Sequence, residues 1–218
     1  GQREACEIRN RRILLYTHSL GGGGAERVCA VLASALAARG HDVLLATDFA
    51  ADANRALLDP LVRCTVLGGG HVATVRRLAG LIRLETPDIA IAAIAGANLK
   101  LVLASAQARR GTPLVISYHG ETEAASGWLG WLGCKSLPIL SPRAARTVAV
   151  SEGLRETLVR RWRSVAARTV RVYNPVDVPS VPPLSAAALA RRADIVLAVG
   201  RLVADKDVSL IVRALASL

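Results

Sequence analysis

Four consecutive glycines, Gly21 to Gly24, stand between the apolar run Ile13-Leu14-Leu15-Tyr16 and a segment carrying Val28, Leu32 and Leu36 at helical spacing. A glycine run that opens a helix lets backbone amides approach an anion, and the partial positive charge of the helix N-terminus favours it further. The run does not fit G-x-G-x-x-G. Counted from Gly21 the third glycine would fall at Glu26, counted from Gly22 at Arg27, and no Lys-Ser or Lys-Thr follows to make a P-loop. Asp48, after the next apolar run, is placed to hold a ribose, which keeps an NAD(P)-dependent oxidoreductase open as an alternative. His119, in Ser117-Tyr118-His119-Gly120-Glu121, is expected at a strand end, where an imidazole can carry a proton or bond a substrate hydroxyl. A hydrogen-bonded structural histidine is the other reading, and His18 has weaker support for function. His41 and His71 read as loop residues. In the loop Gly200 to Asp207, Arg201 and Lys206 bring a forked donor and a point charge together, a chemistry suited to a diphosphate. The alternative there is a solvated loop with Lys206 paired to Asp205 or Asp207. Cys6, Cys29, Cys64 and Cys134 make no C-x-x-C pair and are expected to be free thiols; no metal site is expected.

The elements that must position these residues alternate. Strands are expected at Ile13 to Tyr16, Val43 to Ala46, Val62 to Leu67, Ile89 to Ile94, Leu114 to Tyr118, Val148 to Val150 and Val170 to Tyr173. Helices are expected from the glycine run to Gly40 and near 72–84, 98–110, 128–137 and 152–163. Strands apolar on both faces and separated by helices imply an α/β fold, a doubly wound parallel sheet covered on both sides. Pro175, Pro179, Pro182 and Pro183 then crowd one short stretch, as in an inter-domain linker. We expect one domain over 1–177, a linker over 178–192, and the start of a second domain over 193–218, with a strand at Ile195 to Val199 and a helix from Val208.

Composition narrows the classes. The chain has 218 residues, 52% apolar, and a formal charge of +11. That is enough apolar material for a core and too much for a disordered chain. No stretch reaches the roughly 18 uninterrupted apolar residues of a membrane span, because Arg27, Arg39 and Lys100 interrupt the best ones. No apolar h-region of the length a secretory signal needs follows the charged start GQREACEIRNRR, so no secretory signal is expected. Aromatics are only 3% of the chain, too few for stacking platforms, and a nucleic-acid partner is disfavoured. The basic charge concentrates between Ser141 and Arg171. There Leu154, Leu158 and Trp162 line one helix face, with Arg155, Arg160, Arg161 and Arg163 elsewhere. Such a helix suits an anionic membrane surface, or is an ordinary surface helix packed on the sheet. Trp128 and Trp131 suit a membrane interface, an acceptor pocket or simple packing.

The strings GGGGAERVCAVLASALAARGHDVLLAT, VAVSEGLRETLV, VRVYNPVD and VLAVGRLVADKDVSLIVRAL together resemble a family 4 glycosyltransferase of the GT-B type. The resemblance spans nearly the whole chain. It implies a Rossmann-like acceptor-side domain followed by a Rossmann-like donor domain, of which only the start is present. It implies transfer of a sugar, with retention, from a nucleotide-sugar donor to a saccharide or lipid-linked acceptor in polysaccharide or glycoconjugate assembly. It matches Gly22, Gly23 and Gly24 to the loop that approaches donor phosphates and acceptor, His119 to a catalytic-site histidine that contacts the donor sugar, and Arg201 and Lys206 to the cations on the diphosphate. No metal or other cofactor is implied. Cytoplasmic placement is implied, with peripheral attachment to the inner face of the membrane; Trp128, Trp131, Arg160 and Arg161 are the residues for that contact or for the acceptor. The family's E-x7-E element lies downstream of this chain. An incomplete cleft, with negligible transfer from the chain alone, is therefore expected. A non-catalytic basic module that associates with membranes is the remaining alternative.

Overall fold

The computed structural model describes residues 10–51, 53–120, 123–124, 127–176, 185–191, 195–200 and 207–216. Seven parallel strands form one sheet: β1 (Arg12–Thr17), β2 (Asp42–Thr47), β3 (Arg63–Val66), β4 (Ile89–Ala93), β5 (Leu114–Tyr118), β6 (Arg146–Ala149) and β7 (Thr169–Arg171). Their order is β3-β2-β1-β4-β5-β6-β7, and each neighbouring pair runs parallel. The doubly wound, Rossmann-like sheet expected from the alternation of elements is what forms. The winding direction reverses between β1 and β4, which opens a crevice at the carboxyl ends of those two strands.

Register explains the two cores. Leu15 of β1 stands beside Leu45 of β2 and Ile91 of β4, and this row faces helix α1 (Gly24–Ala37) through Ala30, Ala33 and Ala37. The alternate residues, Leu14, Tyr16, Ala92, Ile116 and Tyr118, point to the opposite face. There they pack with α2 (His71–Glu85), α3 (Ala95–Ala108), α4 (Trp128–Lys135), α5 (Leu137–Leu140) and α6 (Glu152–Arg161). Both strand faces are covered at the centre of the sheet, so its strands read as continuous apolar runs.

Helix α3 lies deepest. It is rich in alanine, buries most of its residues, and takes Asn98, Lys100 and Ser105 into the interior with it. Its first turn is also where α4 comes closest. A Cβ built on Gly133 would stand 2.2 Å from the carbonyl oxygen of Ala95, so only glycine permits the approach.

The chain divides into two compact units, Gly1–Val176 and Asp177–Leu218. In the second, α7 spans Ala186–Ala190 and α8 spans Val208–Leu215, with the Asp207 carboxylate accepting the Leu210 N–H at 3.2 Å. The expected strand at Ile195 to Val199 does not form. Ile195 and Leu197 are 76% and 81% exposed and pair with no described strand. An apolar run becomes a strand only beside a ladder partner, and none of the described residues provides one.

Replacing Gly133 by Ala forces α4 away from the start of α3. Gly133→Ala is expected to lower the unfolding free energy by about 3 kcal/mol, as overpacking at a backbone contact does. Urea denaturation measures it; an unchanged midpoint would mean that the two helices do not meet as described.

Candidate functional site

Three loops at the carboxyl edge of the sheet hold the residues with chemistry. After β1 the chain runs through His18 and Ser19 into the glycines. Glu26, in the first turn of α1, accepts the Gly23 N–H at 2.8 Å and the Ser19 hydroxyl at 2.6 Å, closing the loop onto the helix start. Asn54 bonds the loop from the other side, its side chain donating to the Gly21 carbonyl and its backbone N–H to that of Leu20. Side chains added at Gly21 or Gly23 would press on Glu26. Gly22 and Gly24 differ, for an added Cβ meets nothing within 4 Å at either one, and neither has a left-handed backbone. Local structure gives no reason for glycine at these two positions.

Beside this loop lies a buried carboxylate. Asp48, 1% exposed at the end of β2, accepts the Tyr16 hydroxyl at 2.5 Å, the Lys100 ammonium at 2.5 Å and His18 Nδ1 at 3.0 Å. Burial by itself would raise the Asp48 carboxyl; hydrogen bonds from His18, Lys100 and Tyr16 outweigh it and hold the group below the usual carboxylate range. The same burial, with Asp48 beside it, pushes the Tyr16 phenol up. Because an ionised Asp48 only accepts, His18 carries its proton on Nδ1, and Phe49 stands edge-on to the ring with centroids 4.9 Å apart. All of this commits Asp48 to the protein interior. That leaves Asp48 no part in holding a ribose, the role the oxidoreductase alternative needs.

The third loop follows β5. Ser117 donates its one hydroxyl hydrogen to the Ala92 carbonyl at 2.9 Å, so His119 Nε2, 3.0 Å away, is the donor to that oxygen. This assignment leaves Nδ1 with a lone pair, buried and without a partner among the described residues. Burial also pushes the His119 pKa down to about 4. At neutral pH His119 is therefore an uncharged ring offering an acceptor, a state that suits bonding a hydroxyl better than carrying a proton. Glu123 ties the loop down, accepting the backbone N–H groups of His119, of Gly120 at 3.1 Å and of Ala95 at 2.6 Å. Burial raises the Glu123 carboxyl above its ordinary value against the pull of those bonds. Ala95 opens α3 directly after Ile94, a β-branched residue held at φ 74° at the end of β4. Backbone strain of this kind, of order 1–3 kcal/mol, collects at functional sites.

The profile of Glycosyltransferase Family 4 matches residues 22–179, most of the chain from within the glycine run onward. The chain belongs to Glycosyltransferase Family 4. Solved structures share its fold. Anabaena HepE in complex with UDP-glucose aligns at 22% identity with a TM-score of 0.61, covering 77% of this chain and 45% of that one. The lipopolysaccharide outer core galactosyltransferase WaaB, in its apo form, aligns at 16% identity and a TM-score of 0.57, over 78% and 47% of the two chains. Acinetobacter baumannii MurG gives 14% identity and a TM-score of 0.53, over 80% and 48%. This family 4 chain thus spans less than half the length of each. A search of curated proteins finds no significant match.

The remaining expected site residues divide. Gly22, Gly23 and Gly24 sit on the crevice at the end of β1, and His119 lies at the end of β5 on the same edge of the sheet. Arg201 and Lys206 lie outside the described residues. Trp128 and Trp131 stand exposed on α4, and Arg160 and Arg161 on α6, where Arg161 covers the Trp162 ring at 4.6 Å. Leu154 and Leu158 of α6 are buried in the core and Trp162 packs against it, so the apolar stripe of that helix is satisfied by the sheet. Among the described residues no group of His, Cys, Asp and Glu is arranged to hold a metal ion. Sequence reasoning placed Asp48 on a ligand, passed over Lys100 and Glu123, and gave His18 little weight; the Asp48 contacts and the positive φ of Ile94 are the signals that correct it.

Asp48 neutralises a lysine that is itself 2% exposed. Asp48→Asn strands that ammonium and is expected to cost about 3–5 kcal/mol of stability. Adding Lys100→Met should restore part of the loss, because the two changes act on one interaction. Equilibrium unfolding of the single and double variants checks both; additive losses would show that the pair is not coupled.

Proposed function

We propose that this chain is the acceptor-side part of an enzyme that moves a sugar from a nucleotide-diphosphate donor to a saccharide hydroxyl, with a lipid-linked saccharide as the acceptor class. The observation that carries the reading is the pair Gly22 and Gly24, open to solvent at the head of α1 with no conformational need for glycine. Their amides meet the negative charge of a diphosphate or an acceptor oxygen approaching it. HepE binds UDP-glucose, and WaaB and MurG are the kinds of protein that share the fold.

In this reading the residues divide the work. The diphosphate gains negative charge as the bond to the anomeric carbon breaks, and preorganised donors that meet that charge lower the barrier. Gly22 and Gly24 supply amides from this domain, on either side of Gly23, whose N–H is held by Glu26. Arg201 and Lys206 supply cations at the start of the donor domain, which we assign to residues 193–218 after a linker at 178–192. His119, neutral at the end of β5, is assigned to a hydroxyl of the transferred sugar. Retention of configuration, a reaction without a metal, placement at the cytoplasmic face of the membrane, and a need for the rest of the donor domain complete the proposal.

The test is transfer of labelled sugar from nucleotide-sugar donors to a saccharide acceptor by the protein including its complete donor domain. Gly22→Val should lower kcat/KM by about a hundredfold, on the order expected from a lost donor set at developing charge, while the unfolding midpoint stays put. Full activity in that variant would remove the glycine loop from the reaction, and hydride transfer to a nicotinamide in place of sugar transfer would refute the reading.

A further inference from the structure

We propose that the outer face of α4 and α5 docks this protein on an anionic lipid bilayer. The inference deepens the reading of a lipid-linked acceptor, on which it rests for its biological sense but not for its test.

A helix apolar on every side belongs in an interior, yet α4 has one side in water. Its inner side is spent on the fold: Gly130 and Gly133 are buried, and Leu137 and Leu140 of α5 continue into the core. Its outer side carries Trp128, Trp131, Leu132 and Lys135 at the spacing of one helix face. Trp128 and Trp131 are 63% and 52% exposed, and Ile139, a turn further on, is 62% exposed. The first turn of α2 adjoins them, since His71 meets Trp128 edge-on with centroids 5.4 Å apart, and Val72 beside it is also exposed.

Charge decides what covers this face. From Gly127 to Arg143 the sequence has no carboxylate and two cations, Lys135 and Arg143. The Lys135 ammonium lies 6.0 Å from the Trp131 ring, and Arg143 donates to the Ile139 carbonyl at 2.8 Å, so both cations stay beside the apolar stripe. Exposed Arg76 stands one helical turn from Val72. Indole rings flanked by cations and free of acids match the boundary between acyl chains and anionic headgroups. The arginine-rich helix α6 presents no comparable face, because its leucines are already buried. Among the described residues no helix is long and apolar enough to cross a membrane, so the contact is peripheral. The chain that follows β5 and His119 leads into α4, which puts the bilayer surface beside the loop assigned to the sugar.

The experiment is flotation of this chain with vesicles of phosphatidylcholine alone, and with about 30% phosphatidylglycerol added to supply anionic surface. The chain should float with the anionic vesicles and its tryptophan emission should shift to the blue. The double variant Trp131→Glu, Ile139→Glu, at two exposed positions, should bind at least about tenfold less. Arg160→Glu with Arg161→Glu should bind within about threefold of the parent, since those residues give only general charge. No binding to anionic vesicles, or undiminished binding by the α4–α5 variant, overturns the proposal. So does a parent chain that sizes as a dimer and becomes monomeric in that variant, which would assign the face to a second copy. Vesicle binding is read without donor or acceptor, so its failure leaves the transfer reading standing.

Discussion

The carboxylate of Asp48 holds the working edge of the sheet together. Through its side chain it joins Tyr16 of β1, His18 of the loop that leads to the glycines, and Lys100 of α3. Its backbone N–H donates to the His18 carbonyl at 3.0 Å and its carbonyl accepts the Gly68 N–H at 3.0 Å, so the loops after β1, β2 and β3 meet at one residue. A buried ion pair adds little net stability over an apolar pair of the same volume, yet losing either partner is costly. Here the pair holds His18, the first residue of the loop that runs on to Gly22 and Gly24, against β2 and α3.

On the other side of the reversal point, Glu123 does similar work with backbone donors. It gathers the N–H groups of Ala95, His119 and Gly120, bracing the strained junction at Ile94 and the strand-end histidine from one carboxylate. The crevice thus has two carboxyl braces turned inward, exposed glycines at the head of α1, and a buried histidine acceptor at the end of β5. That division suits a site whose ligand brings the negative charge and the hydroxyls, while the protein brings amides and a neutral ring.

Much of this was legible in the sequence because it depends on local patterns. Apolar runs and helical spacing placed the first seven strands within a few residues, and the glycine run marked the loop that matters. What stayed hidden depends on partners far apart in the chain. Lys100 read only as an interruption in an apolar run, because nothing near it shows that Asp48, 52 residues away, neutralises it. Asp48 itself looked like a ribose ligand for the same reason. The apolar run Ile195 to Val199 has the composition of a strand but lacks a described neighbour to pair with. The tryptophans of α4 were visible as residues; that they face outward follows only from Gly130 and Gly133 facing in.

The central claim is that the loop after β1 and the end of β5 receive a nucleotide sugar. Backbone amide spectra of the protein with its complete donor domain, titrated with a UDP-sugar and separately with a nicotinamide cofactor, test it most directly. The account predicts shifts at Gly22 to Ala25 and around His119 with the nucleotide sugar, and none there with the nicotinamide. Unmoved glycine amides on saturation with a nucleotide sugar that is being transferred, or shifts confined to the cleft lined by Arg11, Arg12 and His41 at the opposite edge of the sheet, would contradict it.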